Sequence, residues 1–142
     1  MKAHGALYNL AHHESRLARV LTEATLAAAP EAALVCPAGS AMERAARERG
    51  LQVVREAFAD RRYLPDGALV PRSDPRALLD DPAESAAQAV SLATHAVVTA
   101  VDGREILVAH ETICVHSDMR RAVERLVAIR AALARRGVEI QR

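Results

Sequence analysis

Aromatic side chains are nearly absent from this sequence, which has one Phe, two Tyr and no Trp among 142 residues. A core with so few aromatics has to be filled by Ala, Leu and Val, so we expect alanine-rich helices packed on valine-rich strands. The formal net charge is only +1, and no basic stripe alternates with aromatic residues. Both absences argue against a nucleic-acid-binding protein, because such proteins need positive charge for phosphates and rings for bases.

Long apolar runs and paired cysteines are missing as well. No run approaches the roughly 20 residues that cross a membrane, and the polar N-terminus does not resemble a signal peptide. Cys36 and Cys114 lack a CxxC spacing, so we expect buried free thiols in a reducing cytosol. The sequence therefore predicts a cytoplasmic globular protein with one domain over residues 1–142, and with no membrane or nucleic-acid partner.

The signatures of two common cofactor sites are also absent. There is no HExxH motif and no paired CxxC motif to hold zinc, so the sequence leaves metal binding unknown. There is no GxxxxGK[ST] loop, so any ATP that the protein uses is not bound by a P-loop.

Apolar periodicity predicts helices that alternate with short buried strands. Short connections between such elements are typical of an α/β fold with a parallel sheet. Ser40 is a good N-cap, and Gly50 and Gly137 are suited to terminate helices. The predicted helices span 14–29, 40–49, 82–95 and 119–135, and the predicted strands span 33–36, 51–57 and 112–115. A further, first strand is expected at the start of the chain, around Lys2 and His4.

Two segments depart from this alternation. Residues 59–81 are rich in Pro and turn signals, which predicts a long irregular loop of the kind that is often functional. Farther along, two β-rich runs flank Asp102 and Gly103. This pattern predicts a β-hairpin insertion near residues 96–108, with a loop of two or more residues.

Polar side chains cluster at three predicted strand ends, where parallel α/β folds bind their ligands. A histidine there can act as a general base, a carboxylate can orient it, and Arg or Lys can hold an anion. Each cluster has an ordinary alternative, since a lone histidine is usually structural and residues 60–62 could be a solvated charge run. The clusters are Lys2, His4, Tyr8 and Asn9; Asp60, Arg61, Arg62 and Tyr63; and His116 and Asp118.

Three stretches match the motifs of one known family. They read KAHGALYN at 2–9, EAFADRRYLPDGALVPRS at 56–73 and TICVHSD at 112–118. In this order and spacing the chain resembles the LamB/YcsF family, the A subunits of ATP-dependent 5-oxoprolinases, over nearly all of its length. Ala3 and Ser117 stand where the family pattern has Pro and Gly.

The resemblance implies a fold and a reaction. The fold would be α/β, a partial (β/α) barrel resembling the glycoside hydrolase and deacetylase barrels. The reaction would be ATP-dependent hydrolysis of 5-oxo-L-proline to L-glutamate, with ATP as co-substrate of a complex with 5-oxoprolinase subunits B and C. The N-terminal part of family members has no counterpart here, so this chain would be their C-terminal portion.

The resemblance also implies roles for the clustered residues. Histidines would carry acid–base chemistry, carboxylates would orient them or accept protons, and Lys2 and Arg61 would hold a carboxylate or phosphate. The implied catalytic residues are His4, Asp60, His116 and Asp118, and the implied substrate-binding residues are Lys2, Tyr8, Asn9, Arg61, Tyr63 and Arg72.

Two alternatives stay open from the sequence. One is a metal-dependent amide or acetyl hydrolase that uses His4, His116 and a carboxylate. The other is a non-catalytic, truncated remnant that serves as a binding module or a homo-oligomer, since the predicted sheet has an open edge that could pair with a second copy.

Overall fold

The computed structural model describes residues 1–141, which form five α-helices and five β-strands. The strands make a three-stranded sheet in the order β1-β2-β5 and a two-stranded sheet of β3 and β4. The predicted α/β class is therefore confirmed. In chain order the elements are α1 Gly5–His13, α2 Ser15–Ala28, β1 Leu34–Pro37, α3 Ala41–Glu48, β2 Val53–Phe58, α4 Pro82–His95, β3 Val97–Thr99, β4 Glu105–Leu107, β5 Thr112–Cys114 and α5 Ala122–Arg135.

The chain divides into two compact units. Unit 1 comprises Met1–Ala57 and Ala109–Thr112, and unit 2 comprises Phe58–Val108 and Ile113–Arg142. The single domain over 1–142 that the sequence suggested stays a prediction.

Unit 1 contains a parallel strand pair joined through a helix. β1 and β2 pair in parallel with Leu34 opposite Val53, and α3 makes the crossover between them. Lys2 adds a single parallel bridge to Val35, so the expected first strand is reduced to one residue. Parallel pairing through a helical connection is the arrangement that the alternating pattern predicted.

α1 is the helix that the sequence pattern did not predict. Its two leucines, Leu7 and Leu10, are exposed, while Tyr8 and Ala11 are buried. Apolar periodicity failed here because the buried face is made by a tyrosine and an alanine rather than by the large aliphatic residues. Tyr8 and Asn9 consequently lie on a helix, and not directly after a strand.

α3 begins as its sequence predicts. The Ser40 hydroxyl accepts a hydrogen bond from the Glu43 N–H, and the Glu43 carboxylate accepts one from the Gly39 N–H at 2.8 Å. This reciprocal arrangement fixes the start of the helix. Gly50 follows the helix with a φ of 72°, a left-handed conformation that favours glycine at a helix C-terminus.

Unit 2 is built on α4 and α5, which pack on each other. Their shared core is dominated by small aliphatic residues, as the low aromatic content required. The buried members are Ala59, Ala86, Ala89, Ile129 and Leu133. α4 has the predicted bounds, with Asp81 accepting a hydrogen bond from the Ala83 N–H at the N-cap.

The predicted hairpin is present in unit 2. β3 and β4 pair antiparallel, with Val98 opposite Ile106. The connection runs over 100–104, and Gly103 adopts a φ of 88° that L-residues rarely take up. The loop is thus longer than two residues, one of the lengths that the sequence allowed.

α5 starts three residues later than predicted, because Arg121 at its N-cap is in the left-handed region with a φ of 57°. Its surface exposes apolar residues, while an arginine is buried. Val123 and Val127 are exposed, and the side chain of Arg125 is fully buried. Among residues 1–141, no helix is both long and apolar enough to cross a membrane.

Candidate active site

A carboxylate and an imidazole are held together at the end of β2 in unit 2. The Ala59 N–H donates to the Cys114 carbonyl at 3.0 Å, which aligns the two segments just before Asp60 and His116. The Asp60 carboxylate then accepts the His116 backbone N–H at 2.7 Å. Its two oxygens also lie 3.1 and 3.0 Å from His116 Nδ1.

This pair has the electrostatics of an oriented general base. The Asp60 side chain is fully buried at 0% exposure, whereas that of His116 keeps 23%. Burial by itself raises the pKa of Asp60, but the side-chain and backbone hydrogen bonds from His116 outweigh it, so the pKa lies below its usual value of 3.8. An ionised Asp60 favours the tautomer with a proton on Nδ1, which leaves the Nε2 lone pair free for chemistry.

The lowered pKa also fixes the sign of the Asp60 contribution to stability. A carboxyl group whose pKa falls on folding stabilises the fold at pH values above its unfolded pKa. That contribution is lost as the pH falls through the lower pKa of the folded state.

Neighbouring side chains immobilise the strand end around Asp60. The Phe58 ring stacks on the His116 ring, with centroids 5.5 Å apart and an interplanar angle of 16°. Gln88 Nε2 donates to the carbonyls of Phe58 and Arg61, both at 2.8 Å, and so fixes the backbone on either side of Asp60. The sequence did not single out Gln88, because nothing in a mid-helix glutamine indicates where it points.

Tyr63 and Arg61 turn inward rather than towards solvent. The Tyr63 hydroxyl accepts the Phe58 N–H at 2.7 Å. The buried Arg61 guanidinium donates to the Val70 carbonyl at 2.6 Å and to the Ala77 carbonyl at 3.4 Å. These contacts fasten the irregular 59–81 loop against the end of β2, and their predicted role in substrate binding stays a prediction.

Arg72 and Asp118 form an exposed ion pair near the same strand end. Arg72 Nη1 lies 3.3 Å from Asp118 Oδ2, and their side chains are 45% and 64% exposed. Asp118 follows His116 by two residues, a span of at most roughly 7 Å along the backbone.

Unit 1 contains a separate polar cluster on Glu56. Lys2 Nζ lies 2.7 Å from both carboxylate oxygens, and the Tyr8 hydroxyl donates to Oε2 at 3.1 Å. Glu56 is buried. It is absent from the predicted site, although the sequence carries a signal for it, since it opens the 56–73 motif.

Lys2 and Tyr8, which the sequence placed in one cluster, both donate to the Glu56 carboxylate. His4 and Asn9 are exposed, and His4 takes the N-cap position of α1 without a side-chain capping bond. The implied roles of these four residues stay predictions.

We expect replacement of Lys2 by Met to destabilise the protein by about 1–3 kcal/mol, because the buried Glu56 carboxylate loses a charged donor. Urea unfolding monitored by circular dichroism measures the effect. The control is Arg49→Met, which breaks an exposed pair with Glu23 and should cost only about 0–1 kcal/mol. Equal losses in the two variants would show that Lys2 contributes no more than a surface charge.

No metal cluster is found among the described residues. Within residues 1–141, no three His, Cys, Asp or Glu side chains come together in a way that could hold a metal ion. The turn between β1 and α3 has a glycine with positive φ before a helix, but its Gly39 N–H is bonded to the Glu43 carboxylate. The Gly39 N–H of this turn is therefore already used by a carboxylate.

The fold and the Asp60–His116 pair define an α/β protein with a carboxylate-oriented histidine at a strand end. The chain belongs to the LamB/YcsF family, whose sequence model matches residues 1–142. It is 43% identical over 140 residues to the 5-oxoprolinase A subunit from Coprothermobacter proteolyticus, covering 99% of this chain and 54% of the relative. The 5-oxoprolinase A subunit from Paracidovorax citrulli is 44% identical over 141 residues, covering 99% and 56%.

A solved structure has the same fold. The lactam utilization protein from Thermus thermophilus superposes with a TM-score of 0.88 at 41% identity, covering 99% of this chain and 56% of that one. The chain therefore spans about half the length of the relatives it matches.

Proposed function

We propose that this chain is a component of an ATP-dependent 5-oxoprolinase that hydrolyses 5-oxo-L-proline to L-glutamate together with subunits B and C. The observation that carries the proposal is the His116 imidazole held through Nδ1 by the buried Asp60 carboxylate. The relative at 43% identity bears the name of a 5-oxoprolinase A subunit, and the similar Thermus protein is a lactam utilization protein. The names of both relatives point to lactam chemistry. The partial (β/α) barrel implied by the resemblance is part of the same proposal, supported by the parallel β1–β2 pair.

The geometry suits general-base attack of water on the lactam. His116 Nε2 takes a proton from water, whose oxygen forms a bond to the carbonyl carbon. The ring C–N bond then breaks, and the nitrogen leaves as an amine after accepting a proton from the imidazolium. Asp60 keeps the imidazole in the required tautomer and stabilises its charged form.

A lactam is a resistant amide, which gives a chemical reason for coupling its opening to ATP. Transfer of the γ-phosphoryl group from ATP to the lactam oxygen, with ADP as the leaving group, would make the carbonyl carbon more electrophilic, and phosphate would leave after the addition of water. No step of the His116 and Asp60 chemistry depends on where ATP binds.

The test is glutamate formation from 5-oxo-L-proline and ATP by the purified chain mixed with its two presumed partner subunits. We expect glutamate only when ATP and all components are present. A full-length relative of this chain, used in its place, is the positive control. Absence of product with this chain, in an assay where the full-length relative works, would overturn the proposal in favour of a non-catalytic binding module.

A further inference from the structure

A substrate such as 5-oxoproline carries a carboxylate beside its lactam, and an arginine near His116 would be well suited to bind it. The resemblance assigns this task in part to Arg61. In the structure, the buried Arg61 guanidinium already donates to the carbonyls of Val70 and Ala77. A buried arginine that fastens a loop cannot turn outward without losing those bonds.

Several other arginines of unit 2 are also engaged. Arg125 is fully buried and donates to neutral acceptors, among them the Leu79 carbonyl at 3.1 Å. The remaining engaged arginines each hold a carboxylate, as in the pairs Arg62–Glu84, Arg76–Asp74, Arg104–Asp102 and Arg121–Glu124. In three of these pairs the two residues are only two or three positions apart, so those three contacts are local ones within a turn or at the start of a helix.

Arg72 differs from these arginines in position, because its partner Asp118 lies two residues after His116. Its contact is about as long as the 3.2 Å contact of Arg62 with Glu84. Arg72 follows Val70, whose carbonyl is held by Arg61, so its backbone is anchored close to the Asp60 segment. Its only carboxylate contact within residues 1–141 is a single 3.3 Å approach of Nη1 to Asp118, and both side chains are largely exposed. An exposed pair of this kind is easily exchanged for another partner.

A series of contacts links His116 to Arg72 from two directions along the chain. His116 is bonded to Asp60, Arg61 follows Asp60 and holds Val70, and Arg72 reaches across to Asp118, two residues after His116. The backbone near Arg72 is therefore held through Val70 and Arg61, while Asp118 leaves most donors of the Arg72 guanidinium unused.

We propose that Arg72 binds the carboxylate of the lactam substrate and that Asp118 is the counter-ion which this carboxylate displaces. The inference rests on the proposed function and names the specificity determinant of the same site. It replaces the catalytic role that the resemblance implies for Asp118. A guanidinium can hold a carboxylate with two parallel hydrogen bonds, which is a better contact than the single approach from Asp118.

The inference predicts opposite effects for the two partners. Removing Arg72 should weaken the binding of a carboxylate-bearing lactam, whereas removing the negative charge of Asp118 should strengthen it. The affinity for a lactam without a carboxylate should not change in either variant. A catalytic or structural Asp118 would not produce this pattern.

The experiment is an NMR titration of the ¹⁵N-labelled chain with 5-oxo-L-proline and with 2-pyrrolidinone, which lacks the carboxylate. We expect Arg72→Gln to weaken 5-oxo-L-proline binding by about 10-fold or more, and Asp118→Asn to strengthen it by roughly 2- to 5-fold. The affinity for 2-pyrrolidinone should change by less than about 2-fold in either variant. The same spectra show that each variant is folded, and Arg72→Lys should restore part of the affinity.

Arg120→Gln is the matched control, since Arg120 is an exposed arginine in the segment after His116. An equal loss in Arg120→Gln, an equal loss of both ligands in Arg72→Gln, or weaker binding in Asp118→Asn would each overturn the inference. If the wild-type chain binds 5-oxo-L-proline but Arg72→Gln binds it equally well, the inference fails while the proposed function stands. If the wild-type chain binds neither lactam, the inference fails, and the glutamate assay with the assembled complex decides the proposed function separately.

Discussion

Replacement of His116 by Ala is expected to lower the rate of glutamate formation by the assembled complex by about 10²–10⁴-fold, the usual contribution of a positioned general base. Asp60→Asn should cause a loss of the same order. The Asn amide offers an N–H where the carboxylate offered lone pairs, so it favours the imidazole tautomer with its proton on Nε2. That tautomer cannot accept a proton from water at the reactive nitrogen.

Matched controls separate this loss from a general effect of substitution. His95→Ala removes an exposed histidine at the end of α4, and Asp102→Asn neutralises an exposed carboxylate in the hairpin turn. Both should keep full activity in the assay of glutamate release. A His116→Ala variant that stays folded and as active as wild type would remove His116 from the reaction, and with it the observation on which the proposed function depends.

Replacement of Arg125 by Met is expected to destabilise the protein by about 3 kcal/mol, because buried acceptors lose a charged donor. Arg125 is fully buried and donates to Ser85 Oγ, at 3.1 Å, and to the carbonyls of Leu79, Asp80 and Arg120. Methionine fills much of the volume but satisfies none of these acceptors. For a chain of this size the melting temperature should fall by roughly 10 °C.

Thermal unfolding followed by circular dichroism measures this change. Arg130→Met is the control, since Arg130 lies on the same helix with an exposed side chain, and its replacement should have little effect. Equal melting temperatures for the Arg125 variant and wild type would mean that the acceptors find water or other donors. The Leu79 N–H also donates to the Asp60 carbonyl at 3.1 Å, so loss of Arg125 should loosen the segment next to the candidate site.

Local sequence signals predicted much of the fold. The α4 bounds, the Ser40 cap, the hairpin and the parallel strand pair all follow from periodicity, capping residues and turn residues that act over a few positions. The sequence pattern missed α1, which follows the single bridge at Lys2. There the burial of Tyr8 and Ala11, and not the pattern of the leucines, decides the buried face.

The site was predicted in its residue types and less well in its contacts. The sequence indicated that Asp60 and His116 follow two strands, and the structure brings them within hydrogen-bonding distance. It could not show that Glu56 would join Lys2 and Tyr8, or that Gln88 would hold the backbone around Asp60. Such contacts link residues about 30–55 positions apart, and side-chain direction over that separation depends on how the elements pack.

By itself, the sequence determined the α/β class, the family and the presence of a histidine and a carboxylate at strand ends. These properties depend on residue types and on their spacing over short stretches of the chain. Only the tertiary structure decided that Arg61 and Arg125 are buried and donate hydrogen bonds to backbone carbonyls. It also decided that Arg72 is exposed and makes a single contact with Asp118. The three residues are chemically identical, and their roles differ because burial and the nearest acceptors differ, which are properties of the packed chain alone.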